Sequence, residues 1–258
     1  MKIVLLILLP IGMSALKAQK TGTLLSRVYK WDGVEAIKEK NPVRREIMGG
    51  STTALADFKV QATTLDAGKA SRYSHSHNDR DELIIIKDGR LKITVNNTSK
   101  IMGPKSIAYV MTGDGYGIEN TGITPATYYL FRYKSKIPRY IEHPEKNNGS
   151  FLVNADKVPV NVTGRGSRQS FFSKSTSQLA EFEMHITALN EGFDSHAPHT
   201  HLEEETILIL KGNAEMFIAG AHYNAIPGDV VFLSSGVLHA LKNTGKGVCE
   251  YFAFQWKN

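Results

Sequence analysis

The sequence predicts an all-β protein built from two related halves, and three observations carry that prediction. The first is an internal repeat. Residues 51–68, STTALADFKVQATTLDAG, lie over residues 175–192, STSQLAEFEMHITALNEG, at an offset of 124. Ser51, Thr52, Leu55, Ala56, Phe58, Thr63, Leu65 and Gly68 meet identical residues there, the mark of a duplicated unit. The second is a series of short runs rich in β-branched and aromatic residues, broken by Gly, Asn, Pro and Asp about every 8–12 residues, as in a sandwich or barrel. The third is that no long segment of 3.6-residue period follows residue 18, so helices have little place in the fold.

In chain order, residues 1–18 come first. One lysine, an apolar run over residues 3–13 and a small-residue end give the layout of a signal peptide, with cleavage expected after Ala18. The run is shorter than the roughly 20 apolar residues a membrane span needs, and it contains Pro10. The mature chain is therefore expected to be exported, periplasmic or secreted, without a membrane anchor. Cleavage removes Lys2 and Lys17 and no acid, lowering the formal charge from +6 to +4. The remaining basic residues are scattered, so nucleic acid is not an expected partner. The one cysteine, Cys249, excludes an internal disulfide and reads as a small core residue.

Residues 34–41, VEAIKEKN, are expected to form one short helix. Strands are expected at ELIIIKDG (82–89), RLKITVNN (90–97) and TYYLFRY (127–133) in the first half. A linker over residues 136–150, rich in proline, glycine and polar residues, follows. The second half repeats the pattern with ETILILKG (205–212), AEMFIAG (214–220), DVVFLSSG (229–236) and EYFAFQW (250–256). Two homologous domains are expected, residues 26–140 and 148–258. In the last strand Tyr251, Ala253 and Gln255 share one face and Phe252, Phe254 and Trp256 the other, so one face packs the core.

Residues 196–212, HAPHTHLEEETILILKG, crowd imidazole and carboxylate at the mouth of a strand. His199 and His201 are two apart, so on extended chain both point at one spot. Glu205 follows four residues later, and His239 arrives downstream after a strand and a glycine-marked bend. Three imidazoles and a carboxylate without thiolate form a borderline ligand set suited to Mn, Fe, Co, Ni, Cu or Zn, with positions left open for substrate or water. Around them, His196 is expected to face solvent, and Glu203 and Glu204 to form a solvated acidic patch or to brace a ligand histidine. His185 reads as a satisfied sheet histidine and His222 as a surface residue.

These residues resemble the cupin superfamily in its two-domain, bicupin form. The first cupin motif, G-x5–6-H-x-H-x3–4-E-x6-G, is matched by Gly192, His199, His201, Glu205 and Gly212, and in the first half by Gly68, His75, His77, Glu82 and Gly89. The second motif is matched by Gly236, His239 and Asn243, with Ser234 where proline is usual. The resemblance spans both halves and implies two jelly-roll barrels (double-stranded β-helices) with a metal in the mouth of the second. In the first half Tyr116 takes the place of His239. A phenol with a reference pKa near 10 is a reluctant ligand, so His75, His77, Glu82 and Tyr116 are expected to be a vestigial second site.

The implied cofactor is one divalent metal ion, Mn or Fe foremost, with Zn, Ni, Co and Cu also compatible. The implied function is a metal-dependent enzyme acting on a small oxygen-rich metabolite, by dioxygenase, isomerase/lyase or ureidoglycine aminohydrolase-like hydrolase chemistry. The alternative is a non-catalytic protein that uses its metal to bind a small molecule or sugar. A fold of this kind does not choose among them. Oxalate decarboxylases keep full ligand sets in both halves, a pattern that Tyr116 breaks. The expected partner is a small-molecule substrate or ligand, and pairing into a homo-oligomer through sheet edges agrees with the family's habit.

Overall fold

The computed structural model describes residues 22–39, 41–71, 75–138 and 149–258. The expected signal peptide, residues 1–18, and most of the expected linker, residues 136–150, lie outside the described residues. The first half holds β1 (Arg27–Tyr29), β2 (Ile37–Lys38), β3 (Val43–Gly50), β4 (Leu55–Leu65), β5 (Asp81–Asp88), β6 (Leu91–Val95), β7 (Thr98–Met102), β8 (Ile107–Val110), β9 (Tyr116–Asn120) and β10 (Ala126–Ser135). The second holds β11 (Phe151–Val153), β12 (Asn161–Thr163), β13 (Gly166–Lys174), β14 (Glu181–Leu189), β15 (Glu204–Lys211), β16 (Ala214–Ile218), β17 (Ala221–Ala225), β18 (Val230–Leu233), β19 (His239–Asn243) and β20 (Cys249–Lys257). A single 3-10 turn at Ala155–Lys157 is the one helical element among the described residues.

Among the described residues of 34–41, the expected short helix is not formed. Ile37 and Lys38 instead pair with Arg44 and Val43 as β2. Eight residues are too few to hold a helix without a packed face, and Asn41, ahead of Pro42, is disfavoured in helical conformation.

Each half builds one large and one small sheet. The seven-stranded sheets run β2-β3-β4-β10-β5-β8-β11 and β12-β13-β14-β20-β15-β18-β1, and the three-stranded sheets run β7-β6-β9 and β17-β16-β19. Each small sheet closes against its large one around an apolar interior: Ile84, Ile93, Val110 and Ile118 in the first half, Ile207, Met216, Val231 and Leu241 in the second. The turn glycines of the motif are sterically required. Gly89 and Gly212 have φ of +82° and +73°, and a Cβ would lie 2.6 Å from the Ala126 Cβ and 2.7 Å from the Val248 carbonyl oxygen, respectively.

The two halves exchange their first strands. Strand β1 pairs antiparallel with β18 of the second barrel, Val28 opposite Val231, and β11 pairs with β8 of the first, Leu152 opposite Ala108. The backs of the two large sheets pack face to face through a shared core. Phe131 meets Phe254 edge-on at 4.9 Å and Phe58 meets Trp256 at 5.2 Å. That contact settles the two faces of β20: Phe252, Phe254 and Trp256 pack between the sheets, whereas Tyr251, Ala253 and Gln255 line the barrel cavity.

Buried carboxylates fasten the halves together. Glu204, 2% exposed, accepts from the Thr52 hydroxyl, the Thr53 and Ala54 amides at 2.8 and 3.1 Å, and Trp256 Nε1 at 3.1 Å. Its repeat counterpart Asp81, also buried, accepts from Tyr109, from the Thr112 amide and hydroxyl, and from the Ser177 hydroxyl of the other half. The expectation that Glu204 belongs to a solvated acidic patch is thus corrected: its side chain reaches back into the first half. Glu203 does face solvent and pairs with Lys257 at 3.1 Å.

Candidate metal centre

The loop ahead of β15 and the start of β19 are locked together by backbone. His199 N donates to His239 O at 3.1 Å and His239 N to His199 O at 3.0 Å, while Gly236 N donates to His201 O at 2.8 Å. These bonds set three imidazoles around one point, with ring centroids 4.5 to 5.4 Å apart. Each of His199, His201 and His239 offers a ring nitrogen within 4.8 Å of the others, a group that could hold a metal ion. The Glu205 carboxylate enters the same point from β15, its Oε2 3.1 Å from His239 Nε2 and 3.4 Å from His201 Nε2.

Backbone carbonyls decide which nitrogen faces inward. Nδ1 of His201 lies 2.9 Å from the Glu203 carbonyl, and Nδ1 of His239 lies 2.9 Å from the Val237 carbonyl. A carbonyl only accepts, so each Nδ1 carries a proton and donates it, leaving Nε2 to the interior, the arrangement that ligating histidines adopt. His201 Nε2, His239 Nε2 and His199 Nδ1 are buried without a hydrogen-bond partner. Buried polar atoms are rarely left so, and three beside one carboxylate fit a divalent cation. Burial alone would raise the Glu205 carboxyl, but when the His201 and His239 rings are protonated on both nitrogens their charge holds it down to about 2. Burial, then the neighbouring imidazoles, lowers His199.

The centre opens into a cavity of about 440 Å³ inside the second barrel. Beyond the ligand set, Arg168, Glu183, His185, His196, Tyr251 and Gln255 line it. His196 is exposed as expected, yet its ring packs 4.0 Å from that of His199 and so borders the centre. His185 is a sheet histidine with partners, as expected, but its Nδ1 lies 3.1 Å from the Arg168 guanidinium and 3.2 Å from Glu183, all on the cavity wall. Burial first, then Arg168, lowers His185. Arg168 and Glu183 went unnoticed in the sequence, although Glu183 is two residues from His185 and shares its face. His222 is a surface residue paired with Glu215 at 3.0 Å.

The first barrel keeps the same frame. His75 and Tyr116 exchange backbone hydrogen bonds of 3.3 and 3.2 Å, and Gly113 N donates to His77 O at 2.7 Å. The His75 ring lies 5.1 Å from His77 and 4.9 Å from Tyr116. His75, His77 and Glu82 again bring donor atoms within 4.8 Å. His77 Nε2 is 3.7 Å from Glu82. Tyr116 is 2% exposed, and burial, then the nearby Glu82 carboxylate, drives its phenol far above the usual range. It is a neutral phenol where the second barrel has an imidazole.

A family model described as "Cupin domain" matches the chain twice, over residues 62–132 and 185–254, together more than half its length. Each match spans one barrel's ligand loop and closing strands. No curated protein matches the sequence. Among solved structures, the oxalate decarboxylase of Lactobacillus farciminis in its formate complex superposes with a TM-score of 0.71 at 13% identity, covering 92% of this chain and 87% of that one. AerE from Microcystis aeruginosa gives 0.67 at 15%, covering 87% and 97%. Protein Ylba from E. coli gives 0.67 at 16%, covering 89% of each. At such identities the likeness is one of fold.

Proposed function

We propose, from the premise that this chain belongs to the cupin family in both of its halves, that its second barrel is the active site of an exported metal-dependent enzyme acting on a small oxygen-rich metabolite. The observation that carries the reading is that His199, His201 and His239 bring ring nitrogens within 4.8 Å of one another, with the buried, unpartnered Nε2 atoms of His201 and His239 beside the Glu205 carboxylate. His199, His201, Glu205 and His239 would hold one divalent ion, Mn or Fe foremost. Such an ion, once bound, supplies Lewis acidity toward a substrate oxygen and lowers the pKa of bound water.

The chain's own groups do the rest. The Glu203 and Val237 carbonyls hold His201 and His239 in the ligating tautomer and orientation. Ile207, Met216 and Leu241 give the cavity an apolar floor, which strengthens every polar contact above it. His185, its pKa lowered by burial and then by Arg168, lies on the cavity wall with Arg168 and Glu183, and the three give a polar edge to a substrate held at the centre. A cavity of about 440 Å³ suits a metabolite rather than a polymer.

The test is elemental analysis of the mature protein purified without chelator or affinity metal, alongside His199→Ala and His75→Ala variants. About one ion per chain is expected, lost with His199→Ala and retained with His75→Ala. Iron would direct the substrate search to oxygen-consuming reactions, manganese or zinc to isomerase, lyase and hydrolase assays. A protein that takes up no metal even on reconstitution would sink this reading.

A further inference from the structure

The inner walls of the two barrels differ in charge at two facing repeat positions. In the second barrel Glu183 on β14 lies directly opposite Gln255 on β20, and both border the metal cavity. The repeat places Lys59 and Arg132 at those two positions, again directly opposite each other, on β4 and β10. An acid and an amide have become two cations, while the imidazole of His239 has become the neutral phenol of Tyr116. Like charges on directly opposite strand positions repel. Lys59 leans away to Asp57, 3.1 Å distant, and Arg44 at the rim is paired with Glu39 at 2.8 Å. Arg132 has no such relief: one guanidinium nitrogen donates to the neutral Gln61 amide oxygen at 2.7 Å, and its Nε is buried with no acceptor.

Arginine cannot shed its proton, so a buried Nε–H without an acceptor is a standing demand for an oxygen. Beside it, directly opposite Arg132 on β5, Glu82 is 2% exposed and its Oε1 is equally without a hydrogen-bond partner. The barrel thus holds one unfilled buried donor on a cation and one unfilled buried acceptor. A divalent ion would answer the second and be repelled by the first. A carboxylate answers the first, and a hydroxyl on the same molecule answers the second. We infer that the first barrel is an anion site, taking a small hydroxycarboxylate between Arg132 and Glu82 with His75 and His77 at its mouth, and that it does not carry a metal.

The experiment titrates glycolate into the mature protein by calorimetry, with Arg132→Gln, Arg132→Lys and His199→Ala as variants. One glycolate per chain is expected, retained in His199→Ala. Binding should weaken about tenfold or more in Arg132→Gln, because a charge-assisted bond is lost. Arg132→Lys keeps the charge and should fall between, which separates loss of the anion contact from loss of the fold. A parallel metal titration of the Tyr116→His/Arg132→Gln double variant should gain a second ion per chain. Glycolate binding that vanishes in His199→Ala but survives in Arg132→Gln would overturn the proposal, as would a second metal in the wild type that His75→Ala removes. Failure of the metal reading for the second barrel shows at His199 and leaves this result untouched.

Discussion

At the residue scale, the pairing of His199 with His201 was legible because a two-residue spacing on extended chain has one geometric consequence. The direction of each ring was not, since it depends on the Glu203 and Val237 carbonyls, groups that every sequence has and none advertises. Glu204 was illegible for a related reason. In a run of three glutamates composition gives no phase, and only the strand register shows that Glu204 faces the shared core and Glu205 the barrel. Cys249 shows how far burial alone moves a single group. Burial raises its thiol to about 11, and the side chain is fully enclosed. The reactive species is the thiolate, so a raised pKa lowers its fraction at any pH below that value. At pH 8 the native thiol should react with a disulfide reagent about a hundredfold more slowly than in urea. The native rate should still be climbing well above pH 9, where the unfolded thiol has levelled off. A native rate equal to the unfolded one would show that the end of the second barrel opens freely.

At the element scale, the strands were foreseen from period and punctuation, and the one expected helix was lost to the sheet edge at β2. What periodicity does not reveal is how a strand's first residue is used. In β5 and β15 that residue is an acid, Asp81 or Glu204, turned away from the cavity into the opposite half. Each accepts several hydrogen bonds in a dry environment, so removing the charge leaves donors that nothing else satisfies. Glu204→Gln keeps the size but sets an NH2 group against a donor whichever way it turns: the Thr53 amide if it replaces Oε1, the Ala54 amide and the Trp256 indole if it replaces Oε2. A cost of about 2–4 kcal/mol is expected, read as a lower midpoint in urea with an unchanged slope. The metal content should stay as in the wild type, because Glu205 and the histidines keep their backbone frame. A midpoint within error of the wild type would mean that solvent reaches this carboxylate.

At the scale of the whole molecule, the repeat disclosed two barrels but not their interdependence. Strand exchange joins residues some two hundred positions apart, Val28 to Val231, a pairing no local pattern announces. The consequence is thermodynamic. Neither barrel completes its large sheet without a strand from the other, and the aromatic core formed by Phe58, Phe131, Phe254 and Trp256 belongs to both. Unfolding one half therefore exposes the edge of β18 or β8 and strips half of that core. The chain should show one calorimetric transition, with calorimetric and van't Hoff enthalpies equal, although it is a tandem repeat. Val28→Pro tests the coupling directly. Proline removes a backbone donor from β1 and disturbs its pairing with β18, at a cost of about 3 kcal/mol. For a chain of this size that lowers the transition by roughly 6–12 °C. If the halves are coupled, the single transition moves down intact. If they fold separately, the second barrel melts early and a second transition, from the first barrel, stays where it was.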